Sequence, residues 1–321
     1  AKHAKSTYRD QALLQLAEIH AQHKKYDLAI ASYTKLVNEL PQSSRIPAAL
    51  YGMGSGQFEL DQLPAALQTL DKLVSGYPQS DFLPRGRYLR GLCRLASQQF
   101  APAVEDFQAF LTSKPDPETS ADAQFAIARC QLGLKQTGPA IQGMSALLQT
   151  LPNYRRADDV YYELAFAHPE LKNNKEAIAA FSTLATKLPD SARAAESAYR
   201  VGELEEQAER FTEAANAFRL GLERAAELPV REKLFYRLGS LHYQQKQYTD
   251  AVATFDKQLT EIPKGELVYA AVYLLGESWF SQKQLRKALD TFTRIVGTDV
   301  EQASEFQERS LYRSGVCASQ L

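Results

Sequence analysis

A fixed step of 37 residues is the feature that most restricts this chain. Taken from Ala29, it lands on Ala66, Ala103, Ala140, Ala177, Ala214, Ala251 and Ala288 without a slip. The same step links Tyr33, Leu70, Phe107, Met144, Phe181, Phe218, Phe255 and Phe292, and it links Ala17, Gly54, Gly91, Ala128, Ala165, Gly202, Gly239 and Gly276. Small residues recur where backbones must approach, and large ones recur where space must be filled. A unit this short has too little interior to bury an apolar face alone, so its copies must stack on one another. The 321 residues therefore read as one elongated array rather than two globular domains.

The stretch from Glu232 to Val268 shows what each unit is. Leu234, Leu238, Leu241 and Tyr248 stand three, four or seven apart, as do Ala251, Phe255 and Leu259, which is the spacing of one helix face. Pro263 stops the second helix, and its counterparts are Pro41, Pro78, Pro115, Pro152 and Pro189, with Ala226 and Val300 as the exceptions. Eight helix–turn–helix units are expected, at 10–46, 47–83, 84–120, 121–157, 158–194, 195–231, 232–268 and 269–305. Repeat eight ends in Gly297-Thr298-Asp299 instead of proline. Residues 308–321 repeat the first-helix signature, with Tyr312 and Gly315, and form a final single helix. A terminal helix should turn a polar face outward, whereas Leu311, Val316 and Leu321 keep this one apolar, so the chain is expected to be a fragment continuing beyond Leu321. Residues 1–9 are expected to be a tail or a lead-in to the first helix.

Phe235, Leu238, Gly239, Tyr248, Ala251, Phe255 and Pro263 together resemble the tetratricopeptide repeat, and in-phase copies cover residues 10–305. The resemblance implies an all-α fold, a right-handed superhelical solenoid whose first helices line a concave surface. It also implies a noncatalytic scaffold that binds a protein or peptide in that groove, as a subunit of a larger complex. The period exceeds the family's usual one of about 34 residues, with the excess placed after the proline. Longer inter-repeat turns such as Tyr77 to Ser80 look like those of bacterial envelope members of the family, of the outer-membrane assembly and Tol-Pal-associated type. That likeness implies a periplasmic or cell-envelope location.

Two constellations stand out as candidate sites. One is an aromatic column at repeat position 5, made of Tyr51, Tyr88, Phe125, Tyr162, Tyr199, Tyr236 and Tyr273, with Tyr312 continuing it. Two readings fit it: packing between neighbouring first helices, or a ladder of amphipathic rings that binds a peptide, with Arg200 and Arg237 supplying charge selectivity. The other is in repeat three, where the normally apolar positions 4, 7 and 11 carry Arg87, Arg90 and Arg94, with Arg85 nearby. Either that helix is rotated onto Tyr88, Leu92 and Leu95, or the arginines are paired in the core. Pairing with Glu105 and Asp106 is one reading. An anion or acidic-peptide site is the other, because a guanidinium fork binds carboxylate through two hydrogen bonds.

Local departures carry further expectations. Gly52, Gly54 and Gly56 read either as a flexible joint or as close packing. His168-Pro169 predicts a helix end near Ala167. Pro229, standing three residues after the position of the missing proline, predicts a second helix one turn longer in repeat six. Glu203, Glu205, Glu206 and Glu209 read as a solvated acidic face.

Other classes find little support. Lys plus Arg number 37 against 38 Asp plus Glu, so there is no net basic field for nucleic acid, and an RNA-binding helical repeat ranks last among the binding readings. No stretch approaches the ~18 uninterrupted apolar residues of a transmembrane segment. The sequence carries no phosphate-cradling glycine loop, zinc-type CxxC or HExxH helix, so no catalytic residue, cofactor or metal is expected. Cys93, Cys130 and Cys317 share one repeat position too far apart for disulfides, and read as buried small residues. The alternative to a binding scaffold is a structural spacer in an envelope complex, with its groove unused.

Overall fold

The computed structural model describes residues 8–296 and 301–321, and among them every regular element is helical. First and second helices alternate. The first helices are α1 (Arg9–Gln22), α3 (Ile46–Glu59), α5 (Leu83–Ala96), α7 (Pro117–Gly133), α9 (Ala157–Ala167), α11 (Ala194–Gln207), α13 (Leu228–Gln244) and α15 (Val268–Ser281). The second helices are α2 (Tyr26–Glu39), α4 (Leu63–Gly76), α6 (Phe100–Leu111), α8 (Thr137–Thr150), α10 (Asn174–Lys187), α12 (Phe211–Arg224), α14 (Tyr248–Glu261) and α16 (Leu285–Thr293). A single helix, α17 (Ser304–Gln320), follows. Gly297 to Val300, where repeat eight was expected to end without proline, lie outside the described residues, as does most of the expected tail; Arg9 already opens α1.

The chain divides into two compact units, Ala1–Val160 and Tyr161–Leu321. In the first, α1 to α8 pack in sequence order, and first helices also touch each other as α1–α3, α3–α5 and α5–α7. In the second, α10 to α17 pack in order, with α11–α13, α13–α15 and α15–α17 contacts. Thus α3, α5 and α7 in the first unit, and α11, α13 and α15 in the second, each sit against their own second helix, the preceding second helix and a first-helix neighbour.

The 37-residue step is the register of this packing. All eight alanines from Ala29 to Ala288 are fully buried, and the large residues from Tyr33 to Phe292 are buried beside them. A Cβ on Gly239 would lie 2.6 Å from the Phe255 ring, and Gly91, Gly202 and Gly276 stand in the same relation to Phe107, Phe218 and Phe292. In these four units the ring takes the space of a side chain and glycine makes room for it, whereas Ala165 holds the same position opposite Phe181. Gly52 and Gly54 are likewise pressed on Tyr33 and Leu70, so α3 is close-packed and continuous rather than jointed.

The turns between paired helices obey an equally strict rule. Lys24, Asp61, Gln98, Lys135, Lys172, Glu209, Lys246 and Lys283 all have φ between 56° and 61°, two residues ahead of each second helix. In each, the positive-φ residue and its successor donate back to the end of the first helix, as Lys246 N–H to Tyr243 O at 2.9 Å and Gln247 N–H to His242 O at 2.8 Å. This is the Schellman closure, which glycine ordinarily occupies because a side chain in the left-handed region is strained. None of the eight is glycine. Lys246→Gly is therefore expected to raise stability by about 0.5–1 kcal/mol, and Lys246→Val to lower it, as read by urea unfolding. A less stable glycine variant would contradict this account of the turn.

Three expectations are corrected. α12 is no longer than the other second helices; the extra turn belongs to α13, which begins at Leu228 with Pro229 in its first turn, where a missing N–H costs nothing. α5 is not rotated: Gly91 and Cys93 are buried like their counterparts in most other first helices, and Arg90 and Arg94 keep the positions that Leu238 and His242 fill in the core of α13. The acidic face of α11 is not simply solvated, because Glu203, Glu205 and Glu206 pair with Arg200, Arg210 and Arg237. Other expectations hold. α9 ends at Ala167 in a short 3-10 turn carrying Pro169, and the three cysteines are free and buried, with burial pushing Cys93 and Cys130 up to about 11.

Candidate functional site

The aromatic column occupies one face of the first helices. In the second unit, Tyr162, Tyr199, Tyr236 and Tyr273 are half-buried, each with its ring against the large residue of its own second helix: centroids lie 6.1 Å from Phe181, 6.0 Å from Phe218, 6.4 Å from Phe255 and 5.8 Å from Phe292. In the first unit, Tyr88 does the same with Phe107 at 5.8 Å and Phe110 at 4.9 Å, and Tyr51 packs on Phe82 at 5.7 Å. Phe125 departs from the column: it is only 1 % exposed and lies beneath the Arg156 guanidinium. Tyr312 departs in the other direction, 70 % exposed on α17. Every half-buried tyrosine of the column thus packs its ring against an aromatic neighbour.

Around the tyrosine column runs a series of Arg–Glu pairs that the sequence reading did not single out. Arg193 lies over the Tyr162 ring at 4.3 Å. Arg200 pairs with Glu203 at 2.9 Å and Glu196 at 3.7 Å, Arg237 reaches Glu206 at 2.9 Å, and Arg313 holds the buried Glu277 through two 2.6 Å contacts. The last two pairs tie a first helix to its neighbour. Burial, then the carboxylates of Glu196, Glu203 and Glu277, hold the phenols of Tyr162, Tyr199 and Tyr273 above their ordinary range. The spacings Tyr199–Glu203 and Tyr273–Glu277, each four residues on one helix, were the available signal. Arg200 and Arg237 are not free cations, but each buries an Nε donor with no hydrogen-bond partner.

A tetratricopeptide repeat profile matches residues 199–266 and 236–304, and a second profile of that description matches residues 11–43, 48–80 and 159–191. Together these span most of the chain. It is a tetratricopeptide repeat protein. Solved structures carry the same fold. One is the C-terminal part of a repeat-containing protein from Cytophaga hutchinsonii, at TM-score 0.60 and 15 % identity over 80 % of this chain and 98 % of that one. Another, from Parabacteroides merdae, has TM-score 0.54 and 16 % identity over 83 % and 98 %. The apo form of RapI has TM-score 0.57 and 15 % identity over 96 % and 95 %. No curated protein matches the sequence.

The arginine face of this tetratricopeptide repeat protein is a closed ion-pair cluster in the first unit. Asp106 of α6, 2 % exposed, accepts from Arg90 Nε at 2.9 Å, Arg90 Nη2 at 2.5 Å and Arg94 Nη1 at 2.8 Å. Asp71 of α4 takes Arg90 Nη1 at 2.8 Å and lies 3.7 Å from Arg94. Of the two carboxylates expected as partners, Asp106 serves and Glu105 does not; Asp71, from the preceding repeat, stands in its place. Arg85 is exposed and Arg87 half-buried, and neither joins the cluster. Two guanidinia and two carboxylates leave it balanced. No helix is long and apolar enough to cross a membrane, and no three His, Cys, Asp or Glu gather as a metal site, among the described residues.

Proposed function

We propose that this protein is a noncatalytic scaffold that binds a protein or peptide partner along the first-helix face of its second unit, within a multiprotein assembly. The observation that carries this is the row of half-buried tyrosines Tyr162, Tyr199, Tyr236 and Tyr273, flanked one repeat apart by the partly exposed guanidinia of Arg200 and Arg237. A partner's backbone carbonyls or acidic side chains would meet the exposed edges of those guanidinia, while the phenol rings supply rigid area at little entropic cost. The lengthened inter-repeat turns support placing that assembly in a bacterial envelope.

The test is a binding titration with the partner recovered by cross-linking in the native cell. Tyr162→Phe with Tyr199→Phe keeps the ring packing and removes the hydroxyls, and Arg237→Met removes a donor. Each is expected to weaken binding about tenfold with the helical circular dichroism unchanged. Partner binding that is indifferent to all three substitutions would rule out this face.

A further inference from the structure

Four repeat steps separate the arginine cluster from a cavity of about 580 Å³ in the second unit, bounded by α12, α13 and α14. The two places are equivalent in the repeat. Asp71, Arg90, Arg94 and Asp106 become Arg219, Leu238, His242 and Thr254. Where repeats two and three supply Asp71 and Asp106, the later copy supplies no carboxylate at those positions, and the space stays open.

The cation left there is held but not neutralised. Arg219 Nη2 lies 3.1 Å from His242 Nε2, and Nη1 donates to the Asn216 side-chain oxygen at 3.2 Å. A guanidinium only donates, so Nε2 must be the acceptor and the imidazole proton sits on Nδ1. That proton faces Thr254 Oγ1 at 3.3 Å, which in turn donates to the Asp250 carbonyl at 2.7 Å. His242, 4 % exposed, is thereby fixed as a neutral ring. No carboxylate lies within ion-pairing distance of Arg219 among the described residues.

The other charges do not alter this. Arg231 and Lys257 line the cavity and share Glu261, at 2.6 Å and 3.9 Å. Glu223 and Asp250 stand exposed at its mouth. The floor is apolar, with Phe235 and Leu238 buried and Leu222 half-buried. Arg219, a guanidinium with no carboxylate contact among the described residues, beside an apolar surface whose Phe235 ring also carries Arg231 and Lys257 over it at 5.3 Å and 5.8 Å, matches a molecule with one carboxylate and a compact hydrocarbon body.

We propose that this cleft between α12, α13 and α14 is a binding site for a small apolar carboxylic acid, whose carboxylate takes at Arg219 the role that Asp106 plays toward Arg90 and Arg94. It is independent of the first-helix face, with which it shares no residue. The ligand supplies in trans what repeat three encodes in its own sequence.

The test uses phenylacetate as probe and phenylacetamide as its neutral counterpart, titrated by calorimetry against the full chain. Saturable phenylacetate binding is expected, at least tenfold weaker for the amide. Arg219→Leu is expected to lose at least tenfold in affinity. Thr254→Asp installs a carboxylate where repeat three has one and is expected to block the probe while the midpoint of thermal unfolding holds or rises. A bound carboxylate favours the imidazolium, so the His242 ring resonances should titrate at higher pH in the presence of probe. Absence of saturable binding overturns the proposal, as does equal affinity for acid and amide, or affinity unchanged by Thr254→Asp.

Discussion

Asp106→Ala is expected to destabilise the first unit by about 3–5 kcal/mol, the cost of leaving a buried charge without its partner. The carboxylate is the hub of its cluster. Removing it leaves Arg90 and Arg94, whose side chains are 14 % and 18 % exposed, sharing Asp71, which is itself half in solvent. Three charge-assisted hydrogen bonds disappear at once, and two cations are left to repel each other. The corresponding part of the second unit shows the way out. Arg90→Leu, Arg94→His and Asp106→Thr together install the set found at Leu238, His242 and Thr254, and this triple variant is expected to lose far less than Asp106→Ala alone. Urea unfolding measures both. A loss below about 1 kcal/mol for Asp106→Ala would mean that the cluster contributes specificity rather than stability.

Phe255→Ala is expected to cost about 3–5 kcal/mol, since a fully buried ring is removed from a site framed by Gly239 and Ala251. Gly239→Ala is expected to cost about 1–3 kcal/mol for the opposite reason, because its new Cβ would stand 2.6 Å from that ring. The double variant should lose less than the sum, as the added methyl enters the space the ring has left. Gly315→Ala is the control. It holds the same repeat position on α17 but has nothing within 4 Å of a built Cβ, so alanine there should be neutral or stabilising by up to about 1 kcal/mol. Strict additivity of the Gly239 and Phe255 substitutions would break the packing argument.

What the sequence made legible was the part of the fold carried by side-chain size. Alanine, glycine and phenylalanine at fixed steps mark helix contacts because they differ in volume, and a step that never slips leaves one register. The eight left-handed turns escaped, although Lys24, Lys135, Lys172, Lys246 and Lys283 recur at the same step, because φ is a backbone property and glycine, its usual signal, is absent. Pro229 was read as a late stop for one helix when it opens the next; proline fits either role, and the structure decides between them. Asp71, the second partner of Arg90, comes from the preceding repeat, so the spacing within one helix pair that points to Asp106 does not point to it. The tyrosine column is legible, but not that Glu203 of the acidic face, together with Glu196 and Glu277, stands at its hydroxyls. The Arg219 cleft has no motif at all: its residues come from three helices, and only the comparison with repeat three gives their spacing a meaning.

The non-glycine turns have a consequence for how much stability the array can hold. If each left-handed side chain costs about 1 kcal/mol, eight of them withhold about 8 kcal/mol, as much as the whole margin of an ordinary domain. That reserve is spread evenly over exposed residues away from the core, and one of the turns, at Lys246, borders the Arg219 cleft through the Gln247 N–H bond to His242 O. Each hairpin therefore opens more readily than its packing alone would dictate, and each can be stiffened separately. Hydrogen exchange should find local opening graded by repeat, adjustable one turn at a time without touching a residue that binds anything.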